Sequence, residues 1–154
     1  MNILELGAIG ELVGGVAVIA SLIFVGAQIR FNARSVQINS TLGVIQSWVG
    51  ANNDLCRDPE LAELFQSALR SERVNQEDLD GRLNFFLRSA IQRLEAEYYL
   101  YTRGLVEHEI WAKHLAYFRN LTRTPTGKSW WDRELSESPI YTDAFIHQLK
   151  REEA

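Results

Sequence analysis

The chain has 154 residues, a formal net charge of −4, 46% hydrophobic residues and 23% charged residues. This length fits one compact domain, or one small domain with an appendage. The composition excludes a collagen-like chain, a disulfide scaffold and a fully disordered chain. The slight acidic excess gives no electrostatic basis for binding phosphates, so we expect no nucleic-acid partner.

The N-terminal part of the chain contains one long apolar segment. Between Leu12 and Ala27 it carries no charge and a single polar residue, Ser21. Taken over residues 6–29 it would be about 36 Å long as a helix, whereas a bilayer core is about 30 Å thick. We therefore predict a single transmembrane helix, with residues 1–30 as the membrane anchor and the lipid bilayer as its surroundings.

Two other kinds of segment share this apolar character. A cleaved signal peptide needs a basic first region, but residues 1–11 contain two Glu and neither Lys nor Arg. A helix buried in a soluble oligomer is the second alternative and stays open. Glu11 lies near the outer end of the span, where its carboxylate can extend to the interface.

Basic residues follow the span on one side only. Arg30 and Arg34 come directly after it, and no acidic residue occurs between Ala27 and Asp54. Because basic residues accumulate on the cytoplasmic side of membrane proteins, we expect the N-terminus outside and the C-terminal region in the cytoplasm.

Small residues recur at helical spacing within the span. The intervals of 3, 4, 3 and 4 place five of them on one helix face: Gly7, Gly10, Gly14, Ala17 and Ser21. In lipid, helices associate through close backbone approach and van der Waals contact. We interpret this face as a packing surface for a protein partner or for a second copy of the chain. The alternative is that Gly and Ala are common in membrane helices generally.

The rest of the chain is predicted to be all-α, a small cytoplasmic helical bundle. A juxtamembrane amphipathic helix is expected over 31–53, with a turn at 50–53 and an apolar stripe of Ile38, Leu42, Ile45 and Val49 that Trp48 extends. A helical domain is expected over 54–154. Capping residues followed by proline predict helix starts at Asp58–Pro59, Thr124–Pro125 and Ser138–Pro139. A long helix capped by Asn75 is expected to end at Gly104.

The sequence lacks the signatures of common catalytic and cofactor sites. His108 and His114 are six residues apart, which separates them by about 120° around a helix. The third histidine is His147, and no Glu-x-x-His pair, P-loop, GxGxxG or GxSxG motif occurs. We therefore expect no enzyme, no cofactor and no metal. Cys56 is interpreted as a small buried side chain.

The densest group of chemically versatile side chains lies on the long helix. Glu95, Glu97, Tyr98 and Tyr101 could form a surface that binds a cationic ligand or performs acid–base chemistry. The alternative is core packing, with Arg93 bonding Glu97 four residues on. Of the adjacent Trp130 and Trp131, one is expected in the core and the other exposed or at the membrane surface.

Four segments occur in a recognisable order: GAIGELVGGVAVIASLIFVGAQIR, DPELAELF, EAEYYLYTRGLV and TPTGKSWW. With them the chain resembles a widespread family of small uncharacterised bacterial proteins that have one N-terminal membrane anchor and a helical cytoplasmic region. The resemblance implies residence in the bacterial inner (cytoplasmic) membrane. It carries over no catalytic or binding residue.

These observations favour a membrane-anchored helical interaction protein, either a homo-oligomer or an accessory or structural subunit of a larger membrane complex. The alternative is a membrane-tethered small-molecule sensor or enzyme that uses the Tyr/Glu surface of the long helix.

The distribution of basic residues yields a topology prediction. A reporter fused after Ala154 should be active in the cytoplasm, because Arg30 and Arg34 favour that side of the membrane. Paired cytoplasmic and periplasmic reporter fusions measure this directly. Robust periplasmic activity would contradict the orientation.

Overall fold

The computed structural model describes residues 2–70, 72, 74–75, 77, 81–137 and 140–151. Over these ranges the chain is helical and contains no strand, which confirms the all-α class. The described helices are α1 (Ile3–Arg57), α2 (Pro59–Leu69), α3 (Arg82–Thr102), α4 (His108–Thr122), α5 (Pro125–Glu137) and α6 (Asp143–Arg151). By internal contacts the chain divides into two units, Met1–Ile38 and Asn39–Ala154.

The first unit consists of the apolar part of α1. This is the one described helix that is long and apolar enough to cross a membrane, with a mean hydropathy of 2.3 over its most apolar window. None of that window is buried, and every side chain from residue 7 to residue 34 is exposed. A core helix of a soluble domain is mostly buried, so this segment is not part of the chain's own core.

Local hydrogen bonds explain where the helices of the second unit begin. The carboxylate of Asp58 accepts from the backbone N–H of Leu61 at 3.1 Å, and Pro59 occupies the first turn. The hydroxyl of Thr124 accepts from the N–H of Gly127 at 3.0 Å. Both predicted starts are thereby confirmed, because each capping side chain accepts a hydrogen bond from a backbone N–H that has no partner within the helix. The predicted start at Ser138–Pro139 lies outside the described residues.

Gly104 ends α3 as predicted. Its φ of +69° is a left-handed conformation that glycine adopts without steric cost. The N–H of Leu105 bonds the carbonyl of Leu100 at 3.0 Å, and that of Gly104 bonds the carbonyl of Tyr101 at 2.9 Å. These two bonds form a Schellman motif. α3 begins at Arg82. The start predicted near Asn75 adjoins residues 76 and 78–80, which lie outside the described ranges.

The core of the second unit forms where α2 packs on α3 and α5, and where α4 packs on α3 and α5. The buried residues follow helical spacing, so each helix contributes one stripe: Phe65, Ala68, Leu83, Leu87, Ile91, Leu94, Trp111, Leu115, Phe118, Leu121, Trp130, Tyr141, Phe145 and Leu149. Trp48 and Leu55 of α1 pack against this cluster.

A buried glutamate links α3, α5 and the residues before α6. Glu134 is 3% exposed and receives two bonds from Arg88, at 2.9 and 2.7 Å, and one from the Tyr141 hydroxyl at 2.9 Å. The hydrogen bonds that Arg88 donates to Glu134 raise the pKa of Arg88. Burial, together with the same carboxylate, raises the pKa of Tyr141 well above its ordinary value. Tyr141 therefore stays a neutral hydrogen-bond donor.

Two predictions about the C-terminal part of α1 are wrong. Residues 50–53 are helical and form no turn. The helix continues because Ala51 is buried and Leu55 packs on the core, which outweighs the cost of about 1 kcal/mol for Gly50. Trp48, one residue of the predicted stripe, packs inward together with Val44, Ala51 and Leu55. The other stripe residues are exposed: Ile38, Leu42, Ile45 and Val49.

Cys56 is likewise not a buried side chain. It is exposed on the last turn of α1. Leu55 is the residue of this turn that packs on the core. Cys56 follows it and is rotated by about 100° around the helix axis, which directs its side chain away from the core. The boundaries predicted for the three segments, 1–30, 31–53 and 54–154, stay predictions.

Gly127 allows α5 to start close to the end of α4. A Cβ atom at this position would overlap the carbonyl oxygen of Leu121 and lie 2.8 Å from its carbonyl carbon. We expect Gly127→Ala to lower the free energy of unfolding by about 1–3 kcal/mol. Gly43→Ala is the matched control, because nothing lies within 4 Å of its Cβ and alanine favours the helix. Thermal unfolding by circular dichroism should show a lower midpoint for the first and no loss for the second. An unchanged midpoint for Gly127→Ala would contradict this packing.

Candidate functional site

A second buried glutamate, Glu97 on α3, is the centre of a polar cluster between three helices. Its side chain is 1% exposed. Oε2 accepts from the indole Nε1 of Trp48 on α1 at 3.0 Å. The two carboxylate oxygens also lie 2.9 and 2.8 Å from Nδ1 of His114 on α4. We refer to Glu97, His114 and Trp48 as the Glu97 cluster.

The helical repeat of α3 explains why this glutamate is inside. Glu97 continues the buried stripe of Ile91 and Leu94, so its side chain is directed into the bundle. On α4, His114 lies between the buried positions Trp111 and Leu115. An isolated buried carboxylate is costly, and the donors of Trp48 and His114 offset part of that cost.

The cluster restricts the orientation of the imidazole. An ionised carboxylate only accepts hydrogen bonds, so Nδ1 of His114 carries a proton directed at Glu97. The rings of Trp48 and His114 are also in contact, with centroids 4.9 Å apart. Among the described residues none forms a hydrogen bond to Nε2, and the side chain is 15% exposed. Nε2 is therefore the free functional atom of this histidine.

His114 lines an open groove between α1 and α4. The groove has a volume of about 540 Å³. Its walls combine apolar and polar side chains: Ile45, Trp48, Val49, Asn52, Ile110, Lys113, His114, Ala116, Tyr117 and Asn120. None of these lining residues is acidic. Burial raises the pKa of Tyr117, so its phenol stays neutral. This groove, with the Glu97 cluster behind it, is the candidate site for a ligand.

The predicted Tyr/Glu surface is divided between different environments. Glu97 is inside the bundle and bonds Trp48 and His114 rather than Arg93. Glu95 faces elsewhere and accepts from the N–H and hydroxyl of Thr142, at 2.6 and 2.9 Å.

The two tyrosines of that predicted surface belong to the edge of the core. Tyr98 contacts Trp111 and Phe145, with ring centroids 5.4 and 5.7 Å apart. Tyr101 stacks on Trp111 at 5.6 Å. The fold therefore separates Glu97 from Glu95, while Glu95 and Tyr98 both line an open groove of about 750 Å³.

The small-residue face of α1 is open in the structure. A Cβ built on Gly7, Gly10 or Gly14 meets no atom within 4 Å. The hydroxyl of Ser21 donates to the carbonyl of Ala17 at 2.8 Å, so its polar group is satisfied within the helix. No described part of the chain covers this face.

The remaining candidate residues have structural environments. Trp130 is fully buried and donates to Asn84 at 2.8 Å, whereas Trp131 is half-buried against Phe118 and Tyr141. His108 and His147 are exposed. Within the described ranges no group of three His, Cys, Asp or Glu could hold a metal ion.

The sequence contained one usable signal for the Glu97 cluster. A charged residue in register with Ile91 and Leu94 requires a buried partner from another helix. The identity of that partner could not be read from the chain, because Trp48 and His114 are 49 and 17 residues away from it.

Comparisons with known proteins identify no relative. No protein-family model, no curated protein and no solved structure matches the chain.

The Glu97 cluster predicts an order of stability among variants. Glu97→Leu should lower the free energy of unfolding by about 1–3 kcal/mol, because it leaves the donors of Trp48 and His114 without an acceptor. Glu97→Gln should cost less, since its amide oxygen can still accept. The exposed Glu109→Leu is the control, with an expected change within about 0.5 kcal/mol. Urea unfolding measures all three, and a Glu97→Leu chain as stable as the original would contradict the role of the carboxylate.

Proposed function

We propose that this protein is a membrane-anchored helical interaction protein of the bacterial inner membrane. It acts as a homo-oligomer or as an accessory or structural subunit of a larger membrane complex. The observation that carries the proposal is the uncovered apolar helix of residues 7–34, on which every side chain is exposed.

The exposed side chains of this helix require a covering outside the chain. Large apolar residues such as Leu12, Ile19, Ile23 and Phe24 are more than half exposed. Each would gain about 1.5–3 kcal/mol on leaving water. A lipid bilayer supplies that environment over the length of the helix, and the helix satisfies its own backbone groups there.

One face of the helix is suited to a protein partner rather than to lipid. Around Gly7, Gly10 and Gly14 a neighbouring helix backbone can approach closely, because no side chain occupies the space. Close approach increases van der Waals contact, which is the main source of helix association in lipid. A second copy of the chain and a different membrane protein both meet this requirement.

The second unit also has an uncovered apolar surface. Leu42, Ile45 and Val49 are 49%, 38% and 50% exposed, on a different face of α1 from the one that packs inward. Such a row next to a proposed membrane span supports contact with another protein.

The orientation that we propose places the second unit in the cytoplasm, because Arg30 and Arg34 follow the span. The family resemblance supports the same arrangement. The alternative function, a sensor or enzyme using the Tyr/Glu surface, has less support because Glu97 lies inside the bundle and Glu95 bonds Thr142.

The proposed interface is tested by adding bulk to the small-residue face. Gly14→Leu should weaken association by about 1–2 kcal/mol, or roughly 5–30-fold in dissociation constant, because the side chain separates the helices. Ile19→Leu and Ile23→Leu are matched controls that keep the hydrophobicity of the span and lie off this face. Crosslinking and size analysis in mild detergent measure the assembly.

Two outcomes would contradict the proposal in different ways. An unchanged assembly for Gly14→Leu would remove the packing role of the small residues. Recovery of the full chain in the soluble fraction as a stable oligomer would contradict the membrane anchor and favour a helix buried between subunits.

A further inference from the structure

The groove between α1 and α4 combines open space, apolar walls and polar groups that lack partners. Its volume of about 540 Å³ lies within the range of about 300–1,000 Å³ that small-ligand pockets occupy. We infer that this groove binds a small amphipathic acid, a molecule with one carboxylate on an apolar body. The inference does not rest on the membrane span that carries the proposed function, because all the groove residues belong to the second unit.

His114 supplies the first contact for a carboxylate. Glu97 holds Nδ1 at 2.8 Å, and the Trp48 ring lies beside the imidazole, so the ring is oriented before a ligand arrives. Nε2 has no hydrogen-bond partner among the described residues. In the protonated ring this atom is a charge-assisted donor, which is the kind of group that binds a carboxylate strongly.

The charges around the groove favour an acid over a base. Lys113 lines the groove and forms no ion pair with any described residue, and none of the described lining residues is acidic. A ligand carboxylate in the groove would lie beside the positive charge of Lys113, and Nε2 of His114 donates to it when the ring is protonated. A ligand ammonium group would face Lys113 with no carboxylate at the surface to receive it.

The remaining walls define the apolar body of the ligand. Ile45 and Val49 on α1 face the groove opposite Ile110 and Ala116 on α4. Ile45 and Val49 are 38% and 50% exposed, so a ligand that covers them removes apolar surface from water. A small polar acid such as acetate lacks this contribution. The site therefore requires both parts of the molecule.

The experiment uses the full chain in lipid nanodiscs with ¹⁵N-labelled histidine side chains and 1-naphthoate as the probe. We expect a saturable change in the ring nitrogen signals of His114, while those of His108 and His147 stay constant. Acetate and 1-naphthylmethylamine, which lack the apolar body and the negative charge respectively, should give no saturable change. His108→Gln and His147→Gln assign the signals without altering the groove.

A pair of lysine variants tests the charge contribution. Lys113→Gln should raise the dissociation constant of 1-naphthoate by about threefold or more, as expected for loss of one partly exposed ion pair. Lys150→Gln, outside the groove, should leave it unchanged. The inference is overturned if His114 does not respond at millimolar 1-naphthoate, if the amine produces an equal response, or if Lys113→Gln binds as tightly as the original chain.

Discussion

The burial of one carboxylate constrains the arrangement of the helical unit. Removing a carboxylate from water costs several kcal/mol unless donors replace the solvent. Glu97 obtains its donors from Trp48 of α1 and His114 of α4, so three helices must keep their register for this group to be satisfied. A shift of one residue along α1 or α4 would turn the donor away by about 100°. The cluster therefore specifies how the end of α1 joins the bundle.

Glu134 on α5 has the same role at another place in the bundle. Arg88 on α3 and Tyr141 before α6 donate hydrogen bonds to its carboxylate. The long helix thus takes part in two buried polar groups, one toward α1 and α4 and one toward α5 and α6. Because a buried carboxylate that loses a partner is strongly destabilising, both groups favour one packing arrangement over its neighbours. The apolar core supplies stabilisation, and these groups restrict its geometry.

Two apolar parts of the surface of the chain are exposed. The apolar helix of the first unit and the row of Leu42, Ile45 and Val49 in the second have no covering within the described chain. The groove beside His114 shares Ile45 and Val49 with that row. An apolar surface of this kind is typical of proteins that work in contact with lipid, another protein or a ligand.

The sequence by itself determined the helices and many of their ends, because caps such as Asp58 and Thr124 and the stop at Gly104 act within a few residues. It also determined the apolar length of the first helix, which is a property of composition. The wrong predictions concern faces: Gly50 does not end α1, Cys56 is exposed, and the stripe of Ile38 and Leu42 points outward. On a helix with two apolar faces, periodicity cannot say which one meets the core. Only the tertiary structure decided that Glu97 meets Trp48 and His114, because those contacts depend on how distant segments pack and not on local spacing.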